Sequence, residues 1–317
     1  MVGRVLIVLD GAPEPGSDTT LATARTSALD ALCRRGAVSR LRTTPPGLDP
    51  GSETGIPTLL GAPPEAPLGR GWIEAAAAGI DVPEGTTPWR LDLRSLDGRR
   101  VNAAPLRHTV AVLLPGHRVV RLRGHRLLAI GTDMPRFTVP GVDVTVWPDG
   151  AVLAPVLDRD TVMVCGPGAA AGCAELLGLS VHVPLRATGD VDTDLAAKAA
   201  AAERALAAGR DVVVHVGALD EAAHRRDPAA KREALERVDR ELIVPLSHHT
   251  IAVTADHSTC PRTGRHGAEP VPVVAAGPDV APSGPGRLTE RETGAVVASP
   301  WESAHGRTAV APEEVPA

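Results

Sequence analysis

Residues 250–257 read Thr250-Ile251-Ala252-Val253-Thr254-Ala255-Asp256-His257, an apolar run that ends in a carboxylate and an imidazole. The run up to Ala255 is short and rich in β-branched residues, which predicts a buried strand. A second imidazole, His266, follows in the next loop. Carboxylates and imidazoles are common ligands of divalent ions, so this strand end could bind one or two of them. An isolated Asp-His pair is more often a turn or a cap, and the metal interpretation therefore needs support from other parts of the chain.

A second apolar run lies at the start of the chain, where Val5 to Leu9 precedes Asp10-Gly11. Continuous apolar residues predict a central parallel strand that is covered on both faces. Asp10 would then stand at the carboxyl end of a strand, which is where open α/β sheets bind their ligands. Asp-Gly is also a common turn sequence, so the turn and the ligand site both remain open for Asp10.

The other parts of the chain alternate between helical and strand patterns. Apolar runs predict strands over 161–164, 180–185 and 211–216, and amphipathic patterns predict helices over 26–35, 168–177, 195–208 and 230–242. This alternation predicts an α/β fold with a mostly parallel sheet flanked by helices.

The pattern changes between residues 89 and 155. Short β-like runs at 109–114, 119–122, 127–130 and 142–147 are separated by Gly, Pro and Asp turns. These runs predict a small β-rich domain over 89–155, inserted into a discontinuous core of 1–88 and 156–317. Arginines are dense in the insert and could bind an acidic small molecule, although solvated arginines would give the same pattern.

Two more positions are candidates for chemistry. Asp220 and His224 are four residues apart, so one helical turn would place both side chains on one face, where they could bind one metal. Ser52 follows a loop rich in Pro and Gly, at a point where a helix can begin. Its hydroxyl could cap that helix, or it could act as a nucleophile on a phosphate at the positive end of the helix.

Composition excludes several classes of partner. The net charge is -5 and aromatic residues make up 2% of the chain, which argues against nucleic acid or an anionic membrane as a partner. Four cysteines without paired spacing fit a reducing compartment. The first apolar run is too short for a signal peptide, and no run reaches the length of a membrane span. We therefore expect a cytoplasmic protein.

Taken together, these fragments resemble the alkaline phosphatase superfamily, and more closely the archaeal type of cofactor-independent phosphoglycerate mutase. The resemblance covers most of the chain outside residues 90–155, where the inserted domain looks shortened. The stretches that carry it are, in chain order, Val8–Gly11, Pro50–Glu53, Leu59–Gly61, Gly69–Gly71, Glu74–Ala75, Ala187–Gly189, Lys198, His215–Val216, Asp220–His224, Glu236–Asp239, Asp256–Thr259 and Pro270–Val273.

The resemblance implies two divalent metal ions. By analogy with the family, one ion would be bound by Asp220, His224 and His266. The other would be bound by Asp10, Ser52, Asp256 and His257. Mixed imidazole and carboxylate ligands suit Mn²⁺ or Zn²⁺, with Mg²⁺ or Co²⁺ also possible.

The resemblance also implies the remaining roles. Ser52 would be the nucleophile that becomes phosphoserine, and Lys198 would stand near the transferred phosphoryl group, although a solvated helix lysine would also fit that position. In the family, the inserted domain binds the substrate carboxylate and phosphate. Arg90, Arg99 and Arg100 are the candidates here.

The implied activity is that of a metal-dependent phosphoglycerate mutase of glycolysis, or of a mutase on a close analogue, acting on a small phosphorylated carboxylic acid. A phosphatase or phosphotransferase on another small phosphorylated or phosphonylated acid would use the same serine and metals. A non-catalytic binding homologue is the third alternative.

Overall fold

Two main sheets, one larger and one smaller, and a third sheet of only two strands make up the β-structure of the described residues. The computed structural model describes residues 3–156, 160–283, 286–291 and 294–301. The strands are, in chain order, β1 (Arg4–Leu9), β2 (Ala37–Leu41), β3 (Thr87–Ser95), β4 (Arg118–Arg121), β5 (Arg126–Gly131), β6 (Val142–Val146), β7 (Val162–Val164), β8 (Ser180–His182), β9 (Val212–Val216), β10 (Thr250–Thr254), β11 (Ser258–Thr259), β12 (His266–Gly267), β13 (Val271–Ala276) and β14 (Val296–Val297).

Helices connect most of these strands. They are, in chain order, α1 (Thr20–Thr23), α2 (Ser27–Arg35), α3 (Ser52–Leu59), α4 (Arg70–Ala77), α5 (Arg107–Leu113), α6 (Ala169–Leu177), α7 (Leu195–Ala207), α8 (Ala218–His224), α9 (Pro228–Val238), a π-helix (Asp239–Ile243) and α10 (Val244–Leu246).

The larger sheet has eight strands in the order β14-β2-β13-β10-β1-β9-β7-β8. The five strands from β10 to β8 run parallel, whereas β13 is antiparallel to both β10 and β2. This arrangement confirms the predicted α/β fold with a mostly parallel sheet. Among the described residues, no helix is both long enough and apolar enough to cross a bilayer.

Helices cover both faces of this sheet, which explains the unbroken apolar sequence of β1. Ile7 and Leu9 pack on one face, with Leu32 of α2 and Leu235 of α9. Leu6 and Val8 point to the other face, where α3, α4 and α6 contribute apolar side chains. A strand with both faces buried carries apolar residues at consecutive positions rather than at alternate ones.

The smaller sheet is antiparallel, with the strand order β4-β5-β3-β6. It extends from Thr87 to Val146 and so spans most of the range predicted for the inserted domain. The prediction of a β-like run over 109–114 is wrong, because residues 109–113 belong to α5 and Leu114 caps that helix. Val110 and Leu114 are four residues apart and are both fully buried against the sheet, as one face of a helix requires. Short apolar runs do not distinguish the two periodicities.

Candidate active site

Three neighbouring parallel strands bring the candidate ligands to one edge of the large sheet. β1 lies between β9 and β10, with Leu9 paired to Val216 and Val8 paired to Thr254. The residues that follow these strands therefore emerge side by side at the carboxyl edge, where α/β sheets form their sites.

One group of ligand atoms comprises Asp220, His224 and His266, whose donor atoms all lie within 4.8 Å of one another. Nε2 of His224 is 3.1 Å from Oδ2 of Asp220, and Nε2 of His266 is 3.4 Å from Oδ1 of the same carboxylate. Nδ1 of His266 lies 3.0 Å from the carbonyl oxygen of Pro50. A proton on Nδ1 would satisfy that carbonyl and leave the lone pair of Nε2 available to a metal ion, as in other metal-binding histidines.

A second group lies deeper and includes the serine. Nε2 of His257 is 3.1 Å from Oδ1 of Asp10 and 3.8 Å from Oδ2 of Asp256. The hydroxyl oxygen of Ser52, at the first position of α3, lies 3.4 and 3.5 Å from the two carboxylate oxygens of Asp10. Asp10, Asp256 and His257 are all buried.

The charges in this group are poorly balanced without a cation. Burial, together with the carboxylates of Asp256 and Asp220, raises the pKa of Asp10 to about 7. Burial opposes the charged form of His257, but the carboxylates of Asp256 and Asp10 prevail and raise its pKa to about 10. A buried carboxyl group whose ionisation is opposed by burial and by neighbouring carboxylates, as that of Asp10 is, is stabilised in its charged form by a cation beside it.

The donor set fits divalent ions. Oδ2 of Asp256 and Nε2 of His215 are buried and have no hydrogen-bond partner among the described residues. Buried polar atoms are normally paired, so two such atoms facing one space indicate a missing partner. Oxygen and imidazole nitrogen donors suit Mn²⁺ and Zn²⁺.

Two glycines permit the close packing of this site. A Cβ on Gly55 of α3 would lie 2.2 Å from the carbonyl oxygen of Asp256, so glycine lets the serine-bearing helix rest on the metal-binding loop. Gly11 has a φ of +63°, and a Cβ there would lie 2.5 Å from Oγ1 of Thr259. These contacts fix Ser52 and Asp10 relative to the strand ends.

Thr259 contacts one ligand of each group, Asp220 and His257. Its hydroxyl donates a hydrogen bond of 2.6 Å to Oδ1 of Asp220, and its oxygen lies 3.2 Å from Nδ1 of His257. The residue is fully buried. Hydrogen bonds of this kind orient ligands and tune metal affinity.

A cavity of about 710 Å³ separates the ligands from the smaller sheet. Ser52, Asp220, His224 and His266 line one side of it. Arginines dominate the other side, which is lined by Arg70, Arg90, Arg94, Arg100 and Arg126.

Arg90 is the best-anchored of these arginines. It is buried, and its Nε and Nη2 donate hydrogen bonds of 2.8 and 2.9 Å to the two oxygens of Asp92. Glu74 of α4 lies 3.2 Å from Arg90 and 3.4 Å from Arg126, which ties the smaller sheet to the core. The guanidinium carbons of Arg70 and Arg90 lie 4.8 and 4.9 Å from the ring centroid of Trp147.

The chain is also similar in sequence to known metalloenzymes. A family model described as the Metalloenzyme superfamily matches residues 3–299. The chain belongs to the Metalloenzyme superfamily. Its sequence is 31% identical to a 2,3-bisphosphoglycerate-independent phosphoglycerate mutase of Methanopyrus kandleri, covering 85% of this chain and 86% of the relative. It is 28% identical to the corresponding mutase 1 of Archaeoglobus fulgidus, covering 87% of this chain and 89% of that relative.

Two solved structures share the fold. The PH0037 protein from Pyrococcus horikoshii superposes with a TM-score of 0.76 at 24% identity, covering 93% of both chains. The cofactor-independent phosphoglycerate mutase from Thermoplasma acidophilum gives 0.59 at 20% identity, covering 95% of this chain and 98% of that one. The resemblance inferred from the sequence motifs is thus confirmed, and this metalloenzyme is an enzyme of the phosphoglycerate mutase-like type.

The residues predicted to bind substrate fall into two groups in this metalloenzyme. Arg90 and Arg100 line the cavity. The side chain of Arg99 is 86% exposed and pairs with Asp97 at 3.2 Å, outside the cavity lining.

Lys198 lies behind the site rather than in the cavity. It is fully buried, so the alternative of a solvated helix lysine is wrong. Its Nζ donates a hydrogen bond of 2.7 Å to the carbonyl oxygen of His215, and burial lowers its pKa to about 8. Its contact with a phosphoryl group stays a prediction.

The sequence analysis noted His215 only as part of the resemblance and gave neither His215 nor Arg126 a role, although both line the site. Nε2 of His215 faces Asp10 at 3.5 Å and Asp256 at 3.6 Å. A histidine one residue before the end of an apolar strand was the available signal. For the smaller sheet, Arg90, Asp92 and Arg94 alternate along β3, and this period of two marks a single face.

Proposed function

We propose that this chain is a metal-dependent phosphoglycerate mutase that moves a phosphoryl group between two hydroxyls of one small phosphorylated acid. The group would travel through a phosphoserine at Ser52. The observation that carries the proposal is the position of the Ser52 hydroxyl. It is 3.4 Å from a carboxylate of the ligand cluster and opens into a cavity with arginines on its far side.

Each side of the cavity suits one end of such a substrate. Two bound divalent ions would lower the pKa of the serine hydroxyl and neutralise charge on the phosphoryl oxygens. Asp10, Asp256 and His257 would hold one ion next to Ser52, and Asp220, His224 and His266 would hold the other. The positive end of α3 adds a further stabilising field at the phosphoryl group.

Ser52 would form its bond to phosphorus as the bond from phosphorus to the substrate oxygen breaks. Return of the group to the other hydroxyl restores Ser52 and leaves an isomer of the substrate. The glycerate must stay bound between the two transfers. Arg90, Arg100 and Arg126 would retain it through charge-assisted hydrogen bonds to its carboxylate.

Retention also determines whether phosphate is lost. If the glycerate left early, or water entered the cavity, phosphoserine would be hydrolysed and the protein would behave as a phosphatase.

Phosphorus NMR tests the proposal directly. The purified protein, loaded with Mn²⁺, is incubated with 3-phosphoglycerate in water enriched in ¹⁸O. For the NMR spectra, Mn²⁺ is removed by chelation after quenching because it broadens the signals. A mutase yields 2-phosphoglycerate without ¹⁸O on phosphorus, and inorganic phosphate that carries ¹⁸O indicates a phosphatase.

Ser52→Ala is the matched control, and phosphorylation of the quenched wild type at Ser52 is checked by mass spectrometry. If no ester or phosphonate of a broad panel is turned over while both ions are bound, the chain is a non-catalytic homologue.

A further inference from the structure

His215 has an unexplained position beside the buried ligands. It stands on β9, where its strand partner is Val8 of β1, two residues before Asp10. Its side chain is 8% exposed, and its Nε2 lies 3.5 Å from Oδ2 of Asp10 and 3.6 Å from Oδ2 of Asp256. Neither Nε2 of His215 nor Oδ2 of Asp256 has a hydrogen-bond partner among the described residues.

These separations are those of ligands rather than of a hydrogen-bonded pair. Hydrogen bonds from N–H to oxygen span about 2.7 to 3.2 Å. Atoms that bind one ion at about 2.1 Å in a tetrahedron lie about 3.4 Å apart. The donor atoms of Asp10, His215 and Asp256 also lie within 4.8 Å of one another, and all three residues are buried.

The surrounding structure holds this imidazole in place. The neighbours Val214 and Val216 pack into the core on one face of the sheet, so His215 must project from the other. Nζ of Lys198 donates to the backbone carbonyl of His215 at 2.7 Å, which anchors this end of β9 from a fully buried position. The strand and this anchor therefore hold the imidazole next to the carboxylates of Asp10 and Asp256.

We propose that Nε2 of His215 is a direct ligand of the ion bound by Asp10 and Asp256. This ion then has two imidazole ligands, His257 and His215, and the whole centre has four with His224 and His266. The inference rests on the metal dependence of the proposed function but not on its substrate.

The test counts the imidazoles that bind metal. The protein is labelled with ¹⁵N-histidine and loaded with two equivalents of Co²⁺, so that nuclei of each ligating ring shift far outside the diamagnetic range. Four such rings are expected in the wild type and three in His215→Gln, with affinity for one Co²⁺ reduced at least about tenfold. Three shifted rings in both proteins would overturn the assignment.

Two controls define the count. His125→Gln removes another buried histidine, one on the arginine side of the cavity, and should leave four shifted rings. Glu203, His248 and His249 form a separate group of possible ligands, so every sample, including the one called wild type here, carries His248→Gln and His249→Gln. If His215→Gln does not fold, the wild-type count alone decides between four and three. Loss of mutase activity with four rings present would contradict the proposed function and leave this assignment standing.

Discussion

The hydroxyl oxygen of Ser52 lies 3.4 Å from Oδ2 of Asp10, although the two residues are 42 positions apart. Asp10 follows the central strand β1, and Ser52 begins α3, which rests on the backbone of Asp256 through Gly55. An ion bound by Asp10 would therefore lie next to the nucleophile. This proximity links metal binding to the activation of Ser52.

Replacing Ser52 tests that link. We expect Ser52→Ala to lower kcat by at least about 10⁴-fold, because the alanine side chain has no hydroxyl to take the phosphoryl group. Bound metal should fall only partly, since the carboxylate and imidazole ligands remain. Turnover is followed by phosphorus NMR and metal by mass spectrometry. Thr58→Ala, on the same helix, loses only a hydrogen bond to the carbonyl of Thr54 and should retain activity. Full activity of Ser52→Ala would remove this serine from the mechanism.

Two adjacent arginines provide a matched test of substrate binding. Arg100 lines the cavity, whereas Arg99 pairs with Asp97 at the surface. A lost charge-assisted hydrogen bond costs about 1.5–3 kcal/mol, so Arg100→Ala should raise KM for 3-phosphoglycerate by about 10- to 100-fold. Arg99→Ala should change KM less than about twofold. Equal effects of the two substitutions would mean that only the overall charge of the insert matters.

Thr259 should control metal affinity without touching an ion. Thr259→Val keeps the shape of the side chain but removes the hydrogen bond to Asp220. We expect the affinity for Mn²⁺ to fall by about 10- to 100-fold, measured by calorimetry. Thr254→Val is the control, because this buried hydroxyl donates to the carbonyl of Pro272 instead of to a ligand. If both variants bound Mn²⁺ equally well, Thr259 would have no part in orienting Asp220.

The strand ends were predictable because their signals are local. The apolar runs that precede Asp10 and Asp256 are the signature of parallel strands buried on both faces. The spacing of Asp220 and His224 is likewise a property of a single helix. Sequence alone could not show that these ends are adjacent, because the order β9-β1-β10 arises from crossovers between distant segments.

His215 and α5 were not predictable for different reasons. A histidine within an apolar strand is more often a satisfied core residue, and only the distances to Asp10 and Asp256 distinguish the two cases. The run that forms α5 is rich in β-branched residues, and its helical conformation is stabilised by packing against the smaller sheet. In both cases, contacts distant in sequence determine the outcome.

The last prediction concerns two fully buried lysines, of which only one has a carboxylate partner. Nζ of Lys198 bonds to a carbonyl, whereas Nζ of Lys231 lies 3.1 Å from the carboxylate of Glu14 and also bonds to the carbonyl of Thr259. A buried charge without an ionic partner costs stability, so Lys198→Met should stabilise the metal-free protein at pH 7 by about 1–3 kcal/mol. Lys231→Met should destabilise it by about 3–5 kcal/mol, because the buried carboxylate of Glu14 loses its cationic partner.

The pH dependence separates this cause from a simple packing effect. Burial lowers the pKa of Lys198 from 10.5 to about 8. Between these values the unfolded chain binds more protons than the folded protein, so wild-type stability rises with pH across this window. Lys198→Met lacks this gain, and its advantage in the free energy of unfolding should shrink from pH 8 to pH 10.5. Urea denaturation at pH 7, 8.5 and 10 measures this difference. If the free energies of unfolding of the two proteins changed with pH in parallel, burial would not lower the pKa of Lys198.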